Sequence, residues 1–101
     1  MKKCCKDYLM EQFGDEDVVN EIYAEYAKSI QEKTPELEAA LTAENWTALD
    51  QVAHAVKGNA LATGDNEMAE TAISLRAAAK MSEKAVAGTL VEKIKELAKS
   101  I

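Results

Sequence analysis

Asn45-Trp46-Thr47-Ala48-Leu49-Asp50-Gln51-Val52-Ala53-His54-Ala55-Val56-Lys57-Gly58-Asn59-Ala60-Leu61-Ala62-Thr63-Gly64 is the stretch that decides how this chain folds. Trp46, Leu49, Val52, Ala53, Val56 and Ala60 recur at three- and four-residue intervals, the spacing of one helix face. Gly64-Asp65-Asn66 then supplies turn and capping chemistry. The pattern predicts a helix from about Trp46 to Thr63.

The same period runs outward in both directions. Residues 6 to 13 read as a short leading helix ending at Gly14. Asp15 follows as an N-cap, with Glu16 and Asp17 well placed for the helix dipole. Val19, Ile22, Tyr23, Tyr26 and Ile30 stripe the next helix, and Leu37 and Leu41 continue it. Pro35 either kinks this helix or marks a stop and restart with Thr34 as cap. Thr42 to Asn45 forms a polar connection. Beyond the central stretch, Met68, Ala69, Ala72, Leu75 and Ala79 mark another helix. Ser82 is expected to cap a last one, with Val86, Leu90, Ile94, Leu97 and Ile101 on its face. Four amphipathic helices with short connections cannot bury their faces singly. The fold expected is all-α: an antiparallel up-and-down four-helix bundle with a short extra N-terminal helix.

A chain of 101 residues has room for a single domain, residues 1–101, with a core over about 15–100. One proline and four glycines leave little punctuation, which favours long helices. A net charge of −6 with a single arginine, Arg76, argues against nucleic acid and against an anionic membrane surface. Cys4 and Cys5 are adjacent, a strained arrangement for a disulfide, and two thiols with no nearby histidine make a poor zinc site. They are read as structural or incidental. Asp7 and Glu11 interrupt any secretory h-region, and no segment reaches membrane-span length. The expectation is a reduced, cytoplasmic protein. The helices at both ends and the initial methionine point to a free-standing one.

His54 is the only histidine. At about 100° per residue it falls about 150° from the centre of the apolar cluster, so it should face solvent. Asp50, Gln51, Gly58 and Leu61 share its side, and Lys57 lies on the flank. Glycine in an exposed helix interior costs about 0.5–1 kcal/mol relative to alanine, but it clears space one turn beyond the histidine. Leu61 adds an apolar contact to the same outward face. Taken singly, an exposed histidine, lysine, glycine or leucine is ordinary surface. Together they form one patch at helical spacing.

Ala53-His54-Ala55-Val56-Lys57-Gly58-Asn59-Ala60, followed by Gly64, resembles the signature of histidine-containing phosphotransfer (HPt) domains. Asn45-Trp46 resembles the polar-Trp entry to their site helix, and the flanking helices agree in order and length over roughly residues 15 to 100. Val56 stands where leucine is commoner, Asn59 replaces a small residue, and Asp65 follows the glycine in place of an apolar or small one. Arg76 sits near a common acidic position. These departures bear on partner choice rather than on the histidine's chemistry.

The resemblance implies that Nε2 of His54 takes a phosphoryl group from an aspartate of a response regulator receiver domain. Lys57 would offset the added charge, and Gln51 or Asp50 would orient the ring. Gly58 and Leu61 would belong to the docking patch. The implied partners are receiver domains and sensor or hybrid histidine kinases. The chain would act as a monomeric phosphoryl carrier without kinase or ATPase activity and without a cofactor of its own, the receiver supplying Mg²⁺. No glycine-rich nucleotide loop is present. One rival reading is a helical interaction module with an unused histidine. The other is a small metal or acid-base enzyme built on His54 and Asp50, which lacks further ligands and a nucleophile.

Overall fold

The computed structural model describes residues 1–101 and is all-helical: α1 (Lys3–Phe13), α2 (Glu16–Thr42), α3 (Trp46–Thr63), α4 (Asn66–Lys80) and α5 (Lys84–Ala98). Three side chains start helices by accepting orphan backbone N–H groups. Asp15 Oδ1 takes Asp17 N at 2.9 Å, Asn45 Oδ1 takes Ala48 N at 3.1 Å, and Asp65 Oδ1 takes Met68 N at 3.3 Å. The molecule is 42 Å long and 19 Å across, close to the length of the 27-residue α2 alone. No helix is long and apolar enough to cross a membrane.

The helices pack around one core. α2 meets α3, α3 meets α4, α4 meets α5, and α5 returns to α2, closing a ring. Val19, Tyr23, Tyr26, Ile30 and Leu37 of α2 face it, with Leu49, Ala53, Val56 and Ala60 of α3. Met68, Ala69, Ala72, Leu75 and Ala79 of α4 complete the stripe expected there. Alanines at Ala53 and Ala60 of α3 and at Ala69, Ala72, Ala78 and Ala79 of α4 let these two helices approach closely.

Four sequence expectations change. The leading helix begins at Lys3 rather than residue 6, because Cys5 and Leu9, one turn apart, are both fully buried and hold its first turn down. α2 runs unbroken through Pro35. Pro35 and Gln31, whose carbonyl loses its usual partner, are exposed, while Ile30 and Leu37 are buried on either side. Thr34 Oγ1 donates to the Ile30 carbonyl at 2.8 Å, so it is not a cap. Ser82 does not cap α5 either. Its φ of 53° places it in the left-handed region, where it closes α4: its N–H donates to Ala79 O and that of Glu83 to Ala78 O. Glu83 is left as the N-cap, without a side-chain bond. Val86 is exposed, and Ala87, Val91 and Ile94 form the buried stripe of α5, with Leu90, Leu97 and Ile101 half-buried.

The α3–α4 turn is held from a distance. Gly64, at φ 78°, ends α3 with Gly64 N donating to Leu61 O and Asp65 N to Ala60 O. A Cβ at Gly64 would stand 2.5 Å from the Cβ of Tyr8, so α1 lies directly on this turn. Asp65 is fully buried. Besides Met68 N it accepts the Tyr26 hydroxyl at 2.7 Å and Lys2 Nζ at 3.0 and 3.2 Å. A buried carboxylate needs such partners to be tolerated. Partial burial opposes the Lys2 ammonium, but the Asp65 hydrogen bond and charge together carry its pKa above the usual value. Burial, then the Asp65 carboxylate, push the Tyr26 phenol well above its ordinary range. Burial likewise pushes the Cys5 thiol up to about 12. Asp65 therefore serves the interior, which corrects its reading as a residue of partner choice.

Candidate functional site

α3 carries the site because its two faces differ so sharply. Leu49, Ala53, Val56 and Ala60 are fully buried, whereas Gln51, His54, Gly58 and Leu61 are exposed, Leu61 to 49 %. The helix is therefore anchored along one side and presents the imidazole from the other. His54 makes no side-chain hydrogen bond, so both ring nitrogens remain free of protein partners. A Cβ on Gly58 would meet nothing within 4 Å. The ground beside the imidazole is bare, as the wheel predicted.

Asp50 and Lys57 occupy the flank toward α4 and are half-buried. Arg76 Nε donates to Asp50 Oδ1 at 2.9 Å. That hydrogen bond, reinforced by the charges of Arg76 and Lys80, holds the Asp50 carboxyl below the usual carboxylate range. Asp50 is thus committed to α4, and neither it nor Gln51 bonds to His54. Lys57 shares a shallow groove with Ile73, Arg76, Ala77 and Lys80. On the opposite flank Asn59 Nδ2 donates to Ser29 Oγ at 2.7 Å and fixes α3 against α2.

The structure thus brings His54, Gln51, Gly58 and Leu61 onto one open face, with Asp50 and Lys57 along its α4 edge. Sequence reasoning missed the α4 contribution of Ile73, Arg76 and Lys80. One signal existed: Asp50 and Arg76 lie at similar distances in the chain on either side of the Gly64 turn, so a helical hairpin brings them together. The chain matches the family model of the Hpt domain over residues 21–101.

It belongs to the Hpt domain family.

Hpt domains serve histidine phosphotransfer in phosphorelays, as phosphocarriers rather than kinases, and work with receiver domains and histidine kinases. In this Hpt protein the matched segment takes in all of α3, α4 and α5 and leaves α1 outside. Comparison with curated proteins and with solved structures yields no match.

Proposed function

We propose that this protein relays a phosphoryl group between Nε2 of His54 and the aspartate of a receiver domain in a two-component phosphorelay. One observation carries the reading. The only histidine in a chain of this family is exposed, unpaired and set beside bare helix surface at Gly58.

The chemistry asks little of the protein. The Nε2 lone pair forms the P–N bond as the acyl-phosphate P–O bond breaks. The electron pair leaves with the receiver's carboxylate, and the ring proton stays on Nδ1. Such transfer depends on positioning and charge stabilisation. Lys57, one turn on from His54, offsets the added charge of about −1.5 to −2. Gln51, Gly58 and Leu61 form the docking face, with Asp50 at its edge. Mg²⁺ comes with the receiver, and the donor is a receiver or a sensor or hybrid histidine kinase.

Within this reading α2 to α5 form an antiparallel up-and-down bundle in one domain spanning 1–101. In support, Glu38 meets Lys95 while the later Glu44 meets the earlier Lys84. The protein works as a cytoplasmic monomer.

The test is transfer from a phosphorylated receiver with Mg²⁺ to the native protein and to His54→Gln, scoring acid-labile, base-stable label. Label on the native protein alone supports the relay. No label from several receivers overturns it and leaves a helical interaction module.

A further inference from the structure

The Asp50–Arg76 pair brackets the histidine without bonding to it. Asp50 lies one turn before His54 on α3, and on one helix face such residues have Cβ atoms about 5–6 Å apart. Lys57, almost one turn after His54, lines a groove together with Arg76. The guanidinium therefore lies against α3 at the Asp50 turn, and Arg76 also borders the groove beside the Lys57 turn. Only its Nε is engaged; the terminal nitrogens make no hydrogen bond to the protein. The two side chains are 24 % and 26 % exposed, so the pair is weakly held.

We propose that Asp50 is a stand-in for the phosphoryl group: it holds Arg76 in the unmodified protein, and phosphorylation of His54 draws the guanidinium from the carboxylate to the phosphoryl oxygens. This rests on the reading of His54 as the phosphoryl-bearing residue. A phosphoryl group brings about −1.5 to −2 of charge and three acceptor oxygens, against a single carboxylate charge. A guanidinium fork fits such oxygens with two parallel donors. Asp50 is the anion bonded into this cationic flank, where Lys57, Arg76 and Lys80 line one groove. After the exchange Asp50 has lost its hydrogen-bonded cation at the edge of the docking face and keeps only the more distant charge of Lys80. A receiver thus meets one charge pattern before transfer and another after it.

Arg76 is the only arginine, so its Nε–H gives a single, unambiguous NMR resonance. The protein is phosphorylated with potassium phosphoramidate, which needs no receiver, using His54→Gln as the reference for reaction elsewhere. The Arg76 Nε–H resonance is expected to move on phosphorylation in the native protein and to be displaced beforehand in Asp50→Asn. Phosphohistidine should decay about tenfold faster in Arg76→Gln, the loss of one charge-assisted bond, with partial recovery in Arg76→Lys. In Asp50→Asn it should persist at least as long as in the native protein. A stationary Nε–H resonance with an unchanged lifetime in Arg76→Gln is the behaviour of a purely structural pair and overturns the exchange. Failure of receiver transfer alone, with the resonance still moving, overturns the relay instead.

Discussion

The Asp65 carboxylate accepts the Tyr26 hydroxyl at 2.7 Å in the interior, while Lys2, 63 positions earlier, holds it from the other side at 3.0 Å. No buried side-chain polar atom in the protein lacks a partner. The balance is easily upset. Tyr26→Phe removes one donor and should cost about 1–2 kcal/mol, whereas Asp65→Ala strands three donors, Lys2 Nζ, the Tyr26 hydroxyl and Met68 N, and should cost about 3 kcal/mol. Urea unfolding of both variants checks the order. Equal losses would mean that packing, not the carboxylate, sets the cost.

Alkali should loosen the fold. Folded Cys5 keeps its proton to about 12, while the unfolded thiol ionises from 9.0. The unfolded state then binds fewer protons, so stability falls as pH rises through that window. Tyr23 and Tyr26, both raised from 10.0, add to the fall above that value, and so does Lys2, raised from 10.5. Asp50 has the opposite sign: its contribution is present above 3.8 and fades as pH drops through its lowered pKa. Urea midpoints from pH 7 to 11 should decline from about pH 9, and Cys5→Ala should postpone the decline to about pH 10. A flat profile in the native protein would contradict the burial of Cys5.

Two glycines should respond in opposite directions. Gly58→Ala meets open space in a helix interior and should stabilise by about 0.5–1 kcal/mol. Gly64→Ala meets a left-handed φ and the Tyr8 side chain, and should destabilise by about 2 kcal/mol or more. Gly58→Glu should fold normally but block phosphoryl transfer by occupying the ground a partner needs. Thermal melts, and transfer rates for Gly58→Glu, decide these points. Unchanged transfer would remove Gly58 from the docking face.

His54→Gln should melt within about 0.5 kcal/mol of the native protein, since the ring touches no polar partner and is exposed. Lys57→Ala should slow transfer or shorten the life of phosphohistidine without abolishing acceptance. A large drop in melting temperature for His54→Gln would show that the imidazole serves the core.

Helical period made most of the architecture legible. α3 is readable from Trp46 to Thr63 because its apolar residues and its glycine stop agree, and the same wheel places His54, Gly58 and Leu61 outside; that Asn45 caps it emerges only in the structure. What escaped depends on partners remote in sequence or on backbone conformation. Ser82 has cap chemistry, but a left-handed turn claimed it. Val86 and Ala87 are adjacent apolar residues, and only the setting of α5 against α4 and α2 decides which one is buried. Asp65 looks like any turn aspartate until Lys2 and Tyr26 arrive around it. Arg76 on its own gives no sign of its partner in the sequence, because a bond to Asp50 requires the hairpin to exist first.

The close approach of Tyr8 to Gly64 has a practical consequence for where this protein can be cut. The family likeness starts at residue 21, inside α2, whereas the packing starts at Lys2. A chain trimmed to the matched segment would lose Cys5 and Leu9 from the interior and Lys2 from Asp65. The border drawn by kinship and the border drawn by cohesion are different lines. Only the second encloses a piece that keeps α3 properly seated.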